Sequence, residues 1–183
     1  MEPSDPASIR VRPALPAEAE AIAALAARSF REAWQAYNTP ADMDAYCLEH
    51  FVPARIAADL REPAVRYLLA DLDGALPGYL RLVAGSLNDS VAARRPLEIS
   101  RLYVCRDWHG RGVGPALMQA GLLHAARAGH DVAWLAVWQR AAQALAFYRK
   151  WGFEVTGSAS FLLGADLQDD YVMRRALDDY RGR

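Results

Sequence analysis

The segment Leu102-Tyr103-Val104-Cys105-Arg106-Asp107-Trp108-His109-Gly110-Arg111-Gly112-Val113-Gly114-Pro115 restricts what this chain can fold into more than any other part of it. An apolar strand pattern ends at Val104, three alternating glycines follow, and a helical pattern then runs over Gly112–Ala128. In that helix Leu117, Met118, Gly121, Leu122 and Ala125 share one face. Glycine lets a backbone turn tightly and approach a ligand closely. The first N–H groups of a helix have no internal partner, and the helix dipole adds partial positive charge there. Strand, glycine loop and helix start together predict a seat for phosphate. Pro115 suits the first turn but brings no N–H of its own. Taken alone, the same glycines would equally make a plain tight connection. No Gly-Lys-Ser/Thr follows, so this is not a P-loop, and it comes too late in the chain for a dinucleotide-binding βαβ unit.

A second segment sharpens the reading. The apolar strand Val132–Val137 leads into a helix over Ala141–Trp151, which closes on Phe147-Tyr148-Arg149-Lys150-Trp151-Gly152-Phe153. Gly152 stands where a helix C-cap glycine is expected. Ala141 and Tyr148 lie seven residues apart and therefore point to one helix face.

The remaining pattern gives one domain over residues 8–183, preceded by a disordered leader at 1–7. Ser8–Arg12 reads as a short strand and Pro16 opens a helix to about Ser29. Phe30–Leu60 reads as broken helix, with a turn at Asn38-Thr39-Pro40 and a new start at Pro53. It mixes aromatics (Phe30, Trp34, Tyr37, Tyr46, Phe51) with acids (Glu32, Asp42, Asp44, Glu49), a mixture that could receive a cation or simply pack and solvate a helix. Val65–Asp71 and Gly78–Ala84 form a hairpin through Asp73-Gly74, Leu97–Val104 is a long strand, and Phe153–Leu163 and Tyr171–Leu177 flank a loop at Gly164–Asp170. A net charge of −1 over 183 residues argues against a nucleic-acid or membrane partner. Cys47 and Cys105 lack metal-site spacing and read as reduced thiols, with the cytoplasm as default location and no metal expected.

On these motifs the chain resembles the GNAT superfamily of N-acetyltransferases. The phosphate-loop pattern Gln/Arg-x-x-Gly-x-Gly/Ala is met by His109-Gly110-Arg111-Gly112-Val113-Gly114, and the later pattern by Ala144, Tyr148, Gly152 and Phe153. The resemblance implies an α/β fold with a central mixed, mostly antiparallel sheet flanked by helices, in the order β-α-α-α-β-β-β-α-β-α-β-β. It also implies acetyl-CoA as co-substrate. Leu102, Tyr103 and Val104 would pair with the pantetheine arm through their backbones. Residues His109, Gly110, Arg111, Gly112, Val113 and Gly114 would hold the pyrophosphate. Tyr148 would give a proton to the leaving thiolate, and Glu98 aligns with the general base of some members. Two departures stand out: His109 replaces the usual Gln or Arg, and Ala141 stands where many relatives carry an asparagine. The stretches Tyr37–Met43, Gly157–Phe161 and Asp170–Met173 are similar to bacterial polyamine or small-amine acetyltransferases.

Chemistry supports those roles. An amine of lysine-like basicity must lose a proton before attack, at a cost of roughly 4.6 kcal/mol at pH 7, and a carboxylate can take it. Glu98 shares its strand face with Ser100, Leu102 and Val104 if no bulge intervenes. Against these roles stand a solvated Glu98 and a Tyr148 that only packs. The expected reaction is direct attack by a small-molecule primary amine in a ternary complex, needing no cysteine. Alternatives are a CoA-binding sensor, to which Ala141 lends support, and a peptide or protein acetyltransferase; self-association as a homodimer is left open.

Overall fold

Asp73 and Gly74 take φ values of 51° and 84°, the left-handed pair that suits a two-residue hairpin turn. They join β2 (Val65–Leu72) to β3 (Ala75–Ala84). The computed structural model describes residues 9–164 and 166–180, so the expected leader lies outside the described residues. β1 (Arg10–Pro13), β4 (Pro96–Val104), β5 (Val132–Trp138), β6 (Glu154–Leu163) and β7 (Asp166–Ala176) complete a seven-stranded sheet in the order β1-β2-β3-β4-β5-β7-β6. Every neighbouring pair is antiparallel except β4 and β5. The helices are α1 (Ala19–Trp34), α2 (Pro40–His50), α3 (Pro53–Asp59), α4 (Val113–Arg127) and α5 (Ala142–Lys150), so the expected fold class and element order hold.

Several boundaries depart from expectation: β3 begins at Ala75, three residues before the expected Gly78, because the Asp73-Gly74 turn is followed at once by the Leu72↔Ala75 pair. A 3-10 turn at Pro16–Glu18 precedes α1, which runs past Ser29 to Trp34 because no breaker intervenes. The expected loop at Gly164–Asp170 is largely strand. Leu167, Gln168, Asp169 and Asp170 pair with Leu162, Phe161, Ser160 and Ala159. Ladder bonds are made by the main chain, so this polar run joins the sheet without an apolar signature.

Each face of the sheet carries its own core. On one, Leu80, Leu82, Leu135 and Met173 meet Val113, Leu117, Met118 and Leu122 of α4 and Leu145 of α5. A Cβ at Gly121 would come within 2.3 Å of Leu80, so the glycine is what lets α4 lie this close to β3. On the other, Ile22 and Phe30 of α1, Met43 and Cys47 of α2 and Ile56 of α3 cover Leu69 and the stacked rings of Tyr67, Tyr79 and Tyr103. Each fully buried side chain of this size is worth about 1.5–3 kcal/mol. Asp59 of α3 accepts from Tyr67 Oη at 2.8 Å and Arg81 Nε at 2.9 Å, tying the helix to both strands. Thr39 caps α2 by accepting from the Asp42 N–H, with Pro40 at the first helical position. Cys47 and Cys105 are buried free thiols.

Candidate active site

The parallel ladder between β4 and β5 covers only Pro96↔Val132, Leu97↔Ala133 and Glu98↔Trp134. Beyond these pairs the two strands part, and the edge of β4 above Glu98 faces a gap. The Cys105 N–H donates to the Pro77 carbonyl at 2.8 Å across the Gly78↔Val104 pair. That pair is therefore a non-hydrogen-bonded one, and by alternation the main-chain groups of Val104 and Leu102 turn toward the gap. Those of Tyr103 turn the other way, onto β3. Of the three residues expected to pair with a ligand through their backbones, Tyr103 thus presents only its side chain. Its hydroxyl accepts from Trp34 Nε1 at 3.0 Å. His109 Nε2 lies 2.8 Å from the Val104 carbonyl, which requires the Nε2–H form as donor.

The loop above β4 delivers the chain to α4 through two left-handed glycines, Gly110 at φ 75° and Gly112 at 84°. An L-residue in that region carries a steric penalty, so the glycines shape the loop. The Ala116 N–H bonds the Gly112 carbonyl, but among the described residues the N–H groups of Gly110, Gly112, Val113 and Gly114 meet no acceptor. Arg111 stacks over Trp108 at 5.1 Å. Four unclaimed donors at a helix start make an anion seat without any cationic side chain.

Tyr148 stands on α5, with Phe147 at 5.5 Å and Phe153 at 6.0 Å, both edge-on. Burial pushes its phenol up to about 12, and no hydrogen bond engages it among the described residues. The Tyr103 phenol, also raised by burial, is within its electrostatic reach. The helix end that holds Tyr148 is a Schellman motif. Phe153 N–H bonds the Tyr148 carbonyl at 3.1 Å, Gly152 N–H bonds that of Arg149 at 3.0 Å, and Gly152 takes φ 77°. Aromatic-x-x-aromatic-Gly-Phe is thus a helix terminator that fixes a phenol.

Glu98 lies at the base of the gap, half-buried and free of side-chain hydrogen bonds and ion pairs among the described residues. Its expected face needs correcting. Arg81 pairs with Arg101 and Leu82 with Ile99, leaving Ser100 as the extra residue of a bulge. A bulge reverses the alternation beyond it. Glu98 therefore faces the same side as Arg101 and Tyr103, while Leu102 and Val104 face α4. That side is the one covered by α1, α2 and α3.

Of the acids Glu32, Asp42, Asp44 and Glu49 of the helical insert, the first three prove to be engaged, while Glu49 is exposed. Glu32 accepts from Arg28 at 2.8 Å and from the Arg106 N–H at 2.7 Å, Asp44 pairs with Arg31 at 2.8 Å, Asp42 accepts from the Thr39 hydroxyl at 2.6 Å, and Glu49 lies 3.8 Å from His50. The aromatics do gather: Trp34 and Tyr37 set their rings edge-on to Trp138 at 5.6 and 5.0 Å. The carboxylate beside them is Asp170, cross-strand neighbour of Trp138. Burial, with Asp169 adding to it, pushes that carboxyl up to about 6. Sequence reading placed Asp170 in a loop; the alternation Gln168, Asp170, Val172 is the signal that could have found it. Ala141 is the N-cap of α5 and offers no side-chain bond. Among the described residues no three His, Cys, Asp or Glu side chains gather as a metal site, and no helix is long and apolar enough to cross a membrane.

Comparison with known proteins agrees with this fold. Residues 19–153 match the profile of the acetyltransferase (GNAT) family. The chain is 36% identical over 160 residues to uncharacterized N-acetyltransferases of Mycobacterium tuberculosis and Mycobacterium bovis, covering 87% of this chain and 98% of theirs. Its fold is similar to that of the PaiA N-acetyltransferase of Thermoplasma acidophilum, solved with coenzyme A (TM-score 0.76, 18% identity, 92% of this chain and 99% of that one). A GCN5-related N-acetyltransferase of Rhodopseudomonas palustris is also similar (TM-score 0.71, 22% identity, 95% and 99%). The chain belongs to the acetyltransferase (GNAT) family. It is an acetyl-CoA-dependent N-acetyltransferase of that type.

Proposed function

We propose that the chain acetylates a primary amine of a small molecule by direct attack within a ternary complex. The observation that carries this reading is the set of unclaimed donors at Gly110, Gly112, Val113 and Gly114 directly above the open edge of β4, together with an unpaired phenol, Tyr148, within electrostatic reach of Tyr103 on that strand. The N–H groups of Gly110, Gly112, Val113 and Gly114 bind the diphosphate of coenzyme A. Leu102 and the Val104 N–H bind the pantetheine arm as an added strand would, with Val104's carbonyl already held by His109. Arg111, in the same loop, is braced on Trp108.

Acetyl-CoA supplies an activated acyl carbon. Glu98, directly or through a water, takes one proton from the acceptor's ammonium group. The freed lone pair attacks the thioester carbonyl, forming the C–N bond, and the C–S bond breaks. Tyr148 gives its proton to the departing sulfur and regains one from the acylated nitrogen, which leaves the amide, the free thiol and the restored phenol. A phenol with its proton held to about 12 is in the right form for this at neutral pH. Neither cysteine takes part, since burial keeps both thiols raised and protonated.

Thiol release from acetyl-CoA over a panel of primary amines, alcohols and carboxylic acids tests the reading, with calorimetric titration of coenzyme A alongside. Release with amines alone is the expected result. Binding without release on any acceptor would make the protein a sensor, and release confined to peptides would move the acceptor class to proteins.

A further inference from the structure

The carboxylate of Asp170 is half-buried and meets no hydrogen-bond donor and no cation among the described residues, although desolvating a charge without a partner is costly. It stands on the face of the sheet covered by α1 and α2. Trp138 is opposite it on β5, and cross-strand neighbours share a face at contact distance. The Trp138 ring meets Trp34 from the end of α1 and Tyr37 from the turn after it. Two residues along β7, Gln168 is buried and donates to Asn38 at 3.2 Å, which fixes that turn over the strand. Arg140 rests 5.1 Å from the Trp138 ring, so this ring already serves as a cation's platform, yet it makes no ion pair with Asp170.

The place is apart from Glu98. Asp170 is level with Trp138 and Glu98 with Trp134, four residues lower on β5, or about 13 Å along the strand. A carboxylate without a partner beside three electron-rich rings, and set apart from Glu98, suits a cation that the reaction does not consume.

We propose that Asp170, with the rings of Trp34, Tyr37 and Trp138, holds a second ammonium group of the acceptor, so that the preferred acceptors are diamines whose far end is anchored here. This rests on the small-amine reading above and adds a specificity-determining residue to it.

The test uses the full chain and α,ω-diaminoalkanes of four to eight carbons against n-alkylamines of the same lengths. The wild type should show a KM lower by about tenfold or more for the best diamine than for its monoamine, the worth of one charge-assisted contact. Asp170→Asn should erase that preference while leaving monoamine kinetics and the KM for acetyl-CoA within about twofold. Asp170→Glu should restore part of it. Equal loss with monoamines, or an unchanged diamine preference, overturns the proposal. Tryptophan fluorescence titrated with the best diamine, without acetyl-CoA, reads the site independently of turnover. Saturable binding abolished by Asp170→Asn supports the anchor even if no amine were acetylated, a result that would sink the transfer reading alone; binding unaffected by the substitution overturns the anchor.

Discussion

Phe153 donates its main-chain N–H to the Tyr148 carbonyl at 3.1 Å and sets its ring edge-on to the phenol 6.0 Å away. Backbone and side chain of one residue thus fix the helix end and the phenol together. The hinge of this arrangement is Gly152 at φ 77°, where an added Cβ meets nothing closer than Arg175 at 3.6 Å. Only the backbone conformation would suffer. Gly152→Ala should cost about 1 kcal/mol and lower Tm by about 2–4 °C, with a fall in kcat as Tyr148 shifts. An unchanged Tm and kcat would show that the left-handed turn does not hold the phenol.

Tyr148→Phe removes the proposed proton donor and keeps the ring. It should lower kcat by about 10²-fold and leave coenzyme A binding unchanged by calorimetry. Because burial holds the phenol protonated up to about 12, Tyr148 ionises only as the pH rises to that value. The wild-type rate should therefore show no loss from this group at pH 8–10. Turnover equal to wild type would demote the residue to packing.

Glu98→Gln retains size and removes the proposed base. The pH–rate profile of the variant should lose its dependence on that carboxylate, with kcat/KM for the amine reduced about 10²-fold. A profile superimposable on that of the wild type would acquit Glu98 and direct attention to other groups on its side of the sheet.

Ala141→Asn restores a capping side chain at the start of α5, where none bonds the first-turn N–H groups. A cap of this kind is worth about 1 kcal/mol, which predicts a Tm higher by about 2–4 °C. Thermal unfolding measured without ligand would decide it, and a lower Tm would show that the site cannot hold the longer side chain.

Asp170 should cost the fold stability when charged. Its carboxyl is pushed up to about 6 by burial and by Asp169, above its unfolded value. The native state therefore disfavours the ionised form, a penalty absent below about pH 4 and complete above the folded value. Asp170→Asn should raise Tm by about 2–4 °C at pH 8, after discounting for partial solvent access, and leave it unchanged at pH 4. Equal stability at both values would mean that a partner relieves the charge.

The fold was legible in the chain because its signals are local. Glycines at 110, 112 and 152 declare left-handed turns, Asp73-Gly74 declares a hairpin, Pro40 and Pro53 declare helix starts, and apolar periods of two and 3.6 declare what lies between. The same signals brought Gly110–Gly114 and Tyr148 forward, since a helix start and a helix terminator are each written in a few consecutive residues. Other features depend on residues far apart in sequence. The bulge at Ser100 exists only in the pairing of β4 with β3, and it decides which side Glu98 faces. Whether an acid is engaged depends on cations brought from elsewhere: Glu32 meets Arg106 across 74 residues, whereas Asp170 meets none among those described. Register and charge pairing are properties of the assembled sheet, and only the tertiary structure could set them.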